Sequence, residues 1–492
     1  MMKGHCNIRV PKTMSTQHPD NVNMPFFSRN SLLGGEEEVL EAYYAYSHLK
    51  CSEQMWDCEG KEVDNFVIKK LLSRYKSYFS EKQIGKDLFL TLRLPNPEVE
   101  RAEAKILLET LESIPRSFDL AKLFYGNETA PIFEVILPMT TSYASVDNIY
   151  QYYCDYVIGK QHGRLGGRDI TISDWIGEFK PEKINVIPLF EDRDGMLNSG
   201  DIVGRYIEDK NLDYQRVFLA RSDPAINYGN VGAVILNKIA LMNMRELSDK
   251  SGIPIYPILG VGSAPFRGNL RPDNVESFVR EYPGVHTFTI QSAFKYDFPV
   301  DIVCDGIKKL EERDTGVSQT VDSEKCLELF EKCSSAYHSR LTELAPVINR
   351  VAGYVPKRRL RKLHIGLFGY SRNHEGLNLP RAITFTAACY SIGVPPEILG
   401  ISALSEKDFE YLTEVYLNFE NDLRDALMFV NPKSPYLPEE DLHFAKEILG
   451  DFDADESHMG ITSGIIGSLA ENRMEDLESG ILRAAEKRKF LG

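Results

Sequence analysis

The sequence lacks the features of a secreted or membrane-bound chain. Its first residues, MMKGHCNIRV, contain no apolar core of the kind a signal peptide has, and no run reaches the apolar length of a membrane span. Its eight cysteines include no CxxC pair, and Cys51/Cys58 and Cys326/Cys333 are too widely spaced for a usual zinc knuckle. Scattered thiols in a long chain are typical of a reduced compartment, so we expect a cytoplasmic protein.

The chain also lacks an excess of positive charge. Its 57 Lys and Arg residues against 72 Asp and Glu residues give a formal net charge of −15 at pH 7. This balance disfavours nucleic acid or an anionic membrane as a general partner. A small anionic substrate would therefore require arginines that are concentrated locally. The 492 residues are enough for a barrel of about 250 residues and a comparable amount of added structure.

The clearest pattern lies between residues 184 and 298, where four short apolar runs each precede a polar or glycine-rich turn and a helical pattern. The runs are 184–190, 217–220, 253–259 and 286–290. Continuous apolar strands that alternate with helices indicate a parallel sheet buried on both faces. Their spacing of about 30 to 40 residues is typical of barrel units. We therefore expect an α/β fold, a TIM-type (β/α)8 barrel heavily elaborated with additional helices, especially in the C-terminal half.

The rest of the chain is predicted as follows. Residues 88–94 and 132–137 are expected as the first and second barrel strands, whereas 11–31 is predicted as a loop or extended arm and 51–64 as a polar turn. Helices are predicted at 36–50, 65–79, 99–111, 145–158, 301–313, 321–345 and 380–404, and over most of the chain after 442. We expect a single domain with N-terminal arm and helices (1–86), main barrel units (87–300), and remaining barrel strands with C-terminal helices (301–492).

Charged side chains follow the apolar runs at Glu191, Arg221, Asp223 and Arg267. The carboxyl ends of barrel strands meet at one rim, where such enzymes build their sites. Two carboxylates on neighbouring strand ends can share a divalent cation. The glycine-rich stretch 260–269 offers backbone N–H groups to an anion, and Arg267 adds a planar fork for phosphate or carboxylate. Any one acid could instead be a helix N-cap, but the succession of four favours a functional site.

Two polar stretches add candidates. The sequence MSTQHPDN at 14–21 contains His18, which could be a general base, a donor that faces an anion, or only a turn histidine in solvent. The basic stretch 356–372 ends at Arg372 and could be a solvated face, although the acidic background favours a local site for a small anion. Arg93 lies near the carboxyl end of the strand at 88–94, and Arg381 opens a late helix.

These motifs resemble those of the archaeal-type phosphoenolpyruvate carboxylases over essentially the whole chain. The resemblance rests on MSTQHPDN (14–21), LTLRLPNP (90–97), IPLFED (187–192), ARSDPA (220–225), GSAPFRGNL (262–270) and FLG (490–492). It implies carboxylation of phosphoenolpyruvate by bicarbonate to oxaloacetate and phosphate, through carboxyphosphate and enolpyruvate, as an anaplerotic, CO2-fixing reaction. It also implies Mg²⁺ or Mn²⁺ as cofactor and a homotetramer built as a dimer of dimers.

The resemblance also implies roles for single residues. His18 resembles the catalytic histidine of the family, Arg267 the arginine of its glycine-rich catalytic loop, and Glu191 and Asp223 its metal carboxylates. The expected substrate-binding set is completed by arginines, namely Arg93, Arg221, Arg372 and Arg381. Carbon dioxide must be kept from water, which implies a closing loop, either 260–269 or the loop near Arg372.

The chain departs from the longer bacterial and plant branch. That branch carries a lysine shortly after the metal aspartate and an extra arginine early in the catalytic loop, where this chain reads Pro224-Ala225-Ile226 and Gly260-Val261-Gly262. Effector sites for aspartate, acetyl-CoA or sugar phosphates are therefore not transferred.

Two other functions remain open from the residues. Another metal-dependent barrel enzyme acting on pyruvate or its enol, such as a carbon–carbon lyase, would share Glu191, Asp223 and the metal but would not need His18 or bicarbonate. A non-catalytic helical scaffold would explain the C-terminal half but not the charged strand ends.

Overall fold

A closed barrel of eight parallel strands forms the centre of the molecule. The computed structural model describes residues 9–59, 64–101, 104–166, 169–360, 372–374 and 377–492, with the backbone alone at 372–374 and 377. Strands adjacent in sequence are adjacent in the barrel, and the last strand closes on the first through Met14↔Thr289. The strands are β1 (Thr13–Ser15), β2 (Glu53–Asp57), β3 (Phe89–Arg93), β4 (Glu134–Leu137), β5 (Asn185–Phe190), β6 (Gln215–Ala220), β7 (Ile255–Gly260) and β8 (Thr287–Ile290).

The predicted barrel is confirmed, but two of its strands were missed. The runs at 184–190, 217–220, 253–259 and 286–290 correspond to β5 to β8, and those at 88–94 and 132–137 are β3 and β4 rather than the first two strands. The first two are β1 and β2, in stretches predicted as an arm and a turn. They were missed because they are short and carry polar side chains, such as Glu53, that face charged partners inside the barrel rather than an apolar layer.

The prediction that strands after residue 300 complete the barrel is wrong for the described part of the chain. The strands found there, β9 (Arg372–His374) and β10 (Leu377–Leu379), pair only with each other in an antiparallel hairpin. The barrel is already closed by residue 290, so the C-terminal third adds helices around it instead.

Helices surround the barrel and extend it, as predicted. They are α1 (Glu36–Ser47), α2 (Val67–Arg74), α3 (Lys76–Glu81), α4 (Ala104–Tyr125), α5 (Tyr143–Gln151), α6 (Ile172–Ile176), α7 (Arg193–Leu197), α8 (Ser199–Ile207), α9 (Ser222–Ser251), α10 (Val275–Glu281), α11 (Ser292–Tyr296), α12 (Val300–Glu312), α13 (Ser323–Ala352), α14 (Ala382–Ser391), α15 (Glu406–Val415), α16 (Phe419–Leu427), α17 (Glu439–Leu449), α18 (Glu456–Ala470) and α19 (Leu477–Arg488). A π-helical segment, Tyr152–Ile158, continues α5.

The added helices have an apolar core of their own on the carboxyl side of the barrel. The 30-residue helix α13 packs against α9, whose helical path is broken by a kink at Gly229 (φ 80°). Helices α14 and α19 join them around Tyr337, Phe385 and Ile481. This arrangement places the end of α13 and the start of α14 over the rim of the barrel.

No single helix among the described residues is long and apolar enough to span a membrane. One pair, Ala382–Ser391 with Pro396–Ala403, meets the length and composition requirements when taken together, although it is bent by 96°.

Candidate active site

A cavity of about 870 Å³ lies at the carboxyl end of the barrel. Its floor is apolar and includes Met55, Leu189 and Phe218 from the barrel interior, whereas its walls come from the loops after the strands and from the helices above them. Seven of the predicted site residues line it: His18, Arg93, Glu191, Arg221, Asp223, Arg267 and Arg381. The side chain of the eighth, Arg372, lies outside the described residues.

Glu191 and Asp223 occupy neighbouring strand ends. Glu191 follows β5 directly, and Asp223 is the second residue of α9 after β6, which pairs with β5 through Leu189↔Phe218. Neither is a helix N-cap. Asp192 is the cap of α7 and accepts the Gly195 N–H at 2.7 Å, and α9 has no side-chain cap. Both carboxylates are partly exposed within the cavity, so they can reach a ligand.

This donor set suits a hard divalent cation that is bound together with a substrate. The described residues contain no cluster of three or more His, Cys, Asp or Glu side chains that could hold a metal ion. Mg²⁺ is usually held by one or two carboxylates and completes its coordination with water and substrate oxygens, so it does not need such a cluster. Two partly exposed carboxylates beside a cavity meet this requirement.

Arg267 is fully built into the wall of the cavity. Its Nε donates to Ser222 Oγ at 3.1 Å, Nη1 donates to Asp20 Oδ2 at 3.0 Å and to the Gly492 carbonyl at 2.8 Å, and Nη2 donates to Gln291 Oε1. Burial lowers the pKa of Arg267 and raises that of Asp20, while the ion pair between them opposes both shifts. The guanidinium therefore has a fixed orientation before any ligand binds.

The glycines of the loop allow this packing. A Cβ on Gly262 would lie 2.9 Å from the Arg267 guanidinium carbon, and Gly268 has a φ of 120° with its Cβ position 2.7 Å from Val261 Cγ1. Residues 261–270 are almost all buried, and Asn269 donates to Asp422 at 2.8 Å. The loop is thus a rigid wall here, and this packing does not support the expectation that 260–269 acts as a closing lid.

His18 lies in the turn that follows β1. Its Nδ1 is 2.9 Å from Thr16 Oγ1, and its carbonyl accepts the Ser292 N–H at 3.4 Å. Asp20, two residues further on, accepts the Ala293 N–H at 2.7 Å. The motif is therefore docked on the start of α11 and presents its histidine to the cavity, which does not fit a turn histidine in open solvent.

The predicted substrate arginines differ in what they contact. Arg93 pairs with Asp57 at 3.1 Å and with Glu59, so part of its charge is neutralised at the rim. The guanidinium of Arg221 is buried and donates to the Phe266 carbonyl at 3.3 Å and to Asn230, which makes it an anchor for the glycine-rich loop. Arg381 precedes α14 and is partly exposed in the cavity.

Several cavity residues were missed at the sequence level. Glu59 follows β2, a strand that was not recognised, and Arg358 and Arg359 were seen only as part of a basic run. Gln291 follows β8 and could have been found by the strand-end rule that found Glu191. The partner of Arg267, Asp20, lies in the His18 motif and gave no signal of its own.

The fold and the cavity define a class. The protein has an eight-stranded parallel barrel with acidic and arginine side chains at its carboxyl rim. These features are typical of a (β/α)8-barrel enzyme that has a site for a small anion.

Comparison with known proteins gives the family within this class. The model of the family described as phosphoenolpyruvate carboxylase matches residues 10–492. A protein named phosphoenolpyruvate carboxylase from Methanospirillum hungatei JF-1 is 59% identical over 488 residues, which cover 99% of this chain and 100% of the relative. Those of Methanothermobacter thermautotrophicus and Halobacterium salinarum are 56% and 47% identical, each over 99% of this chain and 100% of the relative. The chain belongs to the phosphoenolpyruvate carboxylase family.

A solved HpcH/HpaI aldolase from Desulfitobacterium hafniense DCB-2 overlaps 62% of this chain and 94% of its own, with a TM-score of 0.32 and 14% identity. This similarity is too low to support a conclusion about fold or function, and the barrel is established by the pairing of its own strands.

Proposed function

We propose that the rim cavity is where this chain carries out the reaction of its family, the carboxylation of phosphoenolpyruvate by bicarbonate to oxaloacetate and phosphate. The observation that carries the proposal is the convergence on one cavity of His18, Glu191, Asp223 and Arg267, which come from the ends of four different strands. This set contains a candidate base, a cation site and a fixed positive charge, which are the groups that the reaction requires.

The first half of the reaction transfers the phosphoryl group. A bicarbonate oxygen attacks phosphorus and the bond from phosphorus to the enol oxygen breaks, which gives carboxyphosphate and the enolate of pyruvate. Glu191 and Asp223 would hold Mg²⁺ or Mn²⁺, which when bound supplies positive charge to the phosphoryl and enolate oxygens. Arg381 and Arg93 line the same cavity and would bind the anionic substrate, while Arg267 adds charge from the buried wall.

The second half forms the carbon–carbon bond. His18 takes the carboxyl proton of carboxyphosphate, which separates into carbon dioxide and phosphate. The enolate carbon then attacks carbon dioxide to give oxaloacetate, and the proton on His18 leaves to solvent or phosphate. The apolar floor at Met55, Leu189 and Phe218 would hold carbon dioxide away from water.

Of the two loops expected to close the site, the glycine-rich loop is packed too tightly for this task. The other, near Arg372, falls mostly on residues 361–371 and 375–376, which lie outside the described residues, so its closure stays a prediction. Arg221 is proposed to act through the loop that it anchors rather than by direct contact with substrate.

A coupled assay for oxaloacetate tests the proposal. We expect oxaloacetate only when phosphoenolpyruvate, bicarbonate and a divalent cation are all present, and loss of the product after chelation with recovery on adding Mg²⁺ or Mn²⁺. The lyase would be favoured instead if the protein formed no oxaloacetate from phosphoenolpyruvate but released pyruvate by cleaving a carbon–carbon bond of another substrate.

Three further properties are proposed, the location from the cysteine pattern and the oligomeric state from the resemblance. The chain acts as a single catalytic domain, in the cytoplasm, as a homotetramer built as a dimer of dimers. Light scattering on the purified protein should give the mass of four chains, and the mass of one or two chains would contradict the tetramer.

A further inference from the structure

We propose that Thr16 and Glu41 are positioning residues for His18, and that the buried ammonium of Lys295 connects them. The proposal deepens the role given to His18 above and rests on that role. None of the three residues lines the cavity, so they would act through the histidine rather than on substrate.

Glu41 is the fixed end of this arrangement. It lies in α1 and is completely buried, where its carboxylate accepts hydrogen bonds from Lys295 Nζ at 3.0 Å and from the Tyr296 hydroxyl at 2.9 Å. Arg359 Nη2 donates to both of its oxygens at 2.7 Å. Although burial opposes it, the charges of Arg359 and Lys295 lower the pKa of Glu41 to about 2, so the group is a carboxylate at neutral pH.

Lys295 carries the connection from α11 to the end of β1. Its ammonium donates to Glu41, to the Thr16 carbonyl at 2.8 Å and to Ser15 Oγ at 3.2 Å. An ammonium has three N–H donors, and here each has an acceptor in a fixed direction. Two of these acceptors belong to consecutive residues, Ser15 at the end of β1 and Thr16 directly after it. Glu41 therefore holds Lys295 in place, and Lys295 holds this part of the chain, which leads to His18.

Thr16 makes the last contact. Its backbone N–H donates to the Ile290 carbonyl of β8 at 3.0 Å, and its Oγ1 lies 2.9 Å from His18 Nδ1. When Nδ1 carries the proton and donates it to this hydroxyl, Nε2 is the ring nitrogen left to accept a proton in the reaction. The contact with the hydroxyl thus holds the rotation of the ring, which a general base needs in order to act at the right place.

Purely structural roles for the same residues predict a different outcome. A buried ion pair is weak evidence for stability in itself, and its loss would reduce the amount of folded enzyme without changing the chemistry of the molecules that remain folded. The test must therefore measure a property of His18 itself, in protein that is correctly folded.

The decisive measurement is the rate at which diethyl pyrocarbonate modifies His18, followed on its peptide by mass spectrometry at one fixed pH. Thr16→Val removes the hydroxyl with little change in shape, and Glu41→Gln removes the charge that holds Lys295. We expect each to change the His18 modification rate at least threefold. His48, which lies outside the site, serves as an internal reference in every sample.

Two matched variants serve as controls. Thr13→Val removes the buried hydroxyl of Thr13 in β1, which bonds Glu311 and Ser52 rather than His18. Glu134→Gln removes a buried carboxylate that pairs with Arg216 inside the barrel. Both should leave the His18 rate within about 1.5-fold of the parent rate. Thr16→Val is the more conservative change and carries the test if Glu41→Gln does not fold.

A changed His18 rate in Thr16→Val with unchanged controls supports the proposal, and an unchanged rate overturns it whatever happens to overall activity. The ratio of oxaloacetate to phosphate released adds the functional readout, and it should fall at least threefold in both variants. If the parent enzyme formed no oxaloacetate, the proposed function would fail, but the modification rates would still decide whether His18 is positioned in this way.

Discussion

Two buried arginines, one inside the barrel and one at its rim, are surrounded in different ways. Inside, Arg216 on β6 pairs with Glu53 on β2 at 2.6 Å and with Glu134 on β4 at 3.0 Å, and all three side chains are at most 2% exposed. At the rim, Arg267 pairs with the side-chain carboxylate of Asp20 and also donates to the main-chain oxygen of Gly492, to Ser222 and to Gln291. Glu191 and Asp223 stand beside it, partly open to the cavity.

This difference in surroundings distinguishes charged side chains that stabilise the fold from charged side chains that can bind a ligand. The side chains of the inner cluster, Arg216, Glu53 and Glu134, do not line the rim cavity, and they bond to one another across the barrel. At the rim, Arg267 is held by a fixed set of contacts, and two partly exposed carboxylates line the cavity. We therefore expect changes inside to affect stability and changes at the rim to affect turnover.

The largest effect is expected from the rim carboxylates. Glu191→Gln and Asp223→Asn each remove one anionic ligand from a site for a hard cation, and turnover should fall on the order of 1,000-fold or more, about 4 kcal/mol. The measurement is steady-state oxaloacetate formation, with circular dichroism to confirm the fold. Asp192→Asn is the matched control, since Asp192 only caps α7. Normal turnover in either variant at ordinary Mg²⁺ would remove that residue from the site.

The next effect is expected inside the barrel. Arg216→Met leaves Glu53 and Glu134 buried without their cation, and should lower the free energy of unfolding by about 3 kcal/mol or more in a denaturant titration. Arg381→Met, a change at the cavity, should lower turnover with a much smaller loss of stability. Equal losses of stability in the two variants would contradict the claim that charges inside the barrel serve stability and charges at the rim serve turnover.

A smaller effect is expected for the rim arginine. Arg267→Lys cannot reproduce donors that reach Ser222, Asp20 and Gln291 at once, so turnover should fall at least roughly tenfold, about 1.4 kcal/mol. Arg271→Lys is the control, because Arg271 pairs with Asp425 away from the cavity. If Arg267→Lys were as active as the parent, the planar geometry of the arginine would be irrelevant to the reaction.

Whether a barrel strand could be predicted from the sequence depended on whether its side chains pack against apolar or charged groups. Strands β5 and β7 are largely apolar and β6 ends in the apolar run 217–220, because both faces of the sheet are covered. Pattern located these strands, β8 and the charged residues that follow β5 to β7. Strand β2 reads EQMWD, since Glu53 serves the inner charge cluster, and it resembled a turn. Strand β1 has only three residues, too few for any periodicity.

Residues that line the cavity could be found where they follow a predicted strand or belong to a motif, and they were missed where they contribute through contacts with distant residues. His18, Glu191 and Asp223 were identified from motif and position. The ion pair of Arg267 with Asp20 joins residues that are 247 positions apart and that only the closed barrel brings together, which no local pattern records. The contact of Thr16 with His18 is local, but nothing in the motif indicates it.

The measurement that tests the account most directly is the release of phosphate, pyruvate and oxaloacetate from one sample of His18→Asn, with and without bicarbonate. Phosphoryl transfer should persist in part, since the rim carboxylates and arginines are intact, and the enolate should take up a proton instead of carbon dioxide. The account predicts bicarbonate-dependent phosphate release with pyruvate in place of oxaloacetate. Undiminished oxaloacetate would show that His18 is not the base, and loss of all phosphate release would place His18 in substrate binding or the first step and contradict the proposed order of the reaction.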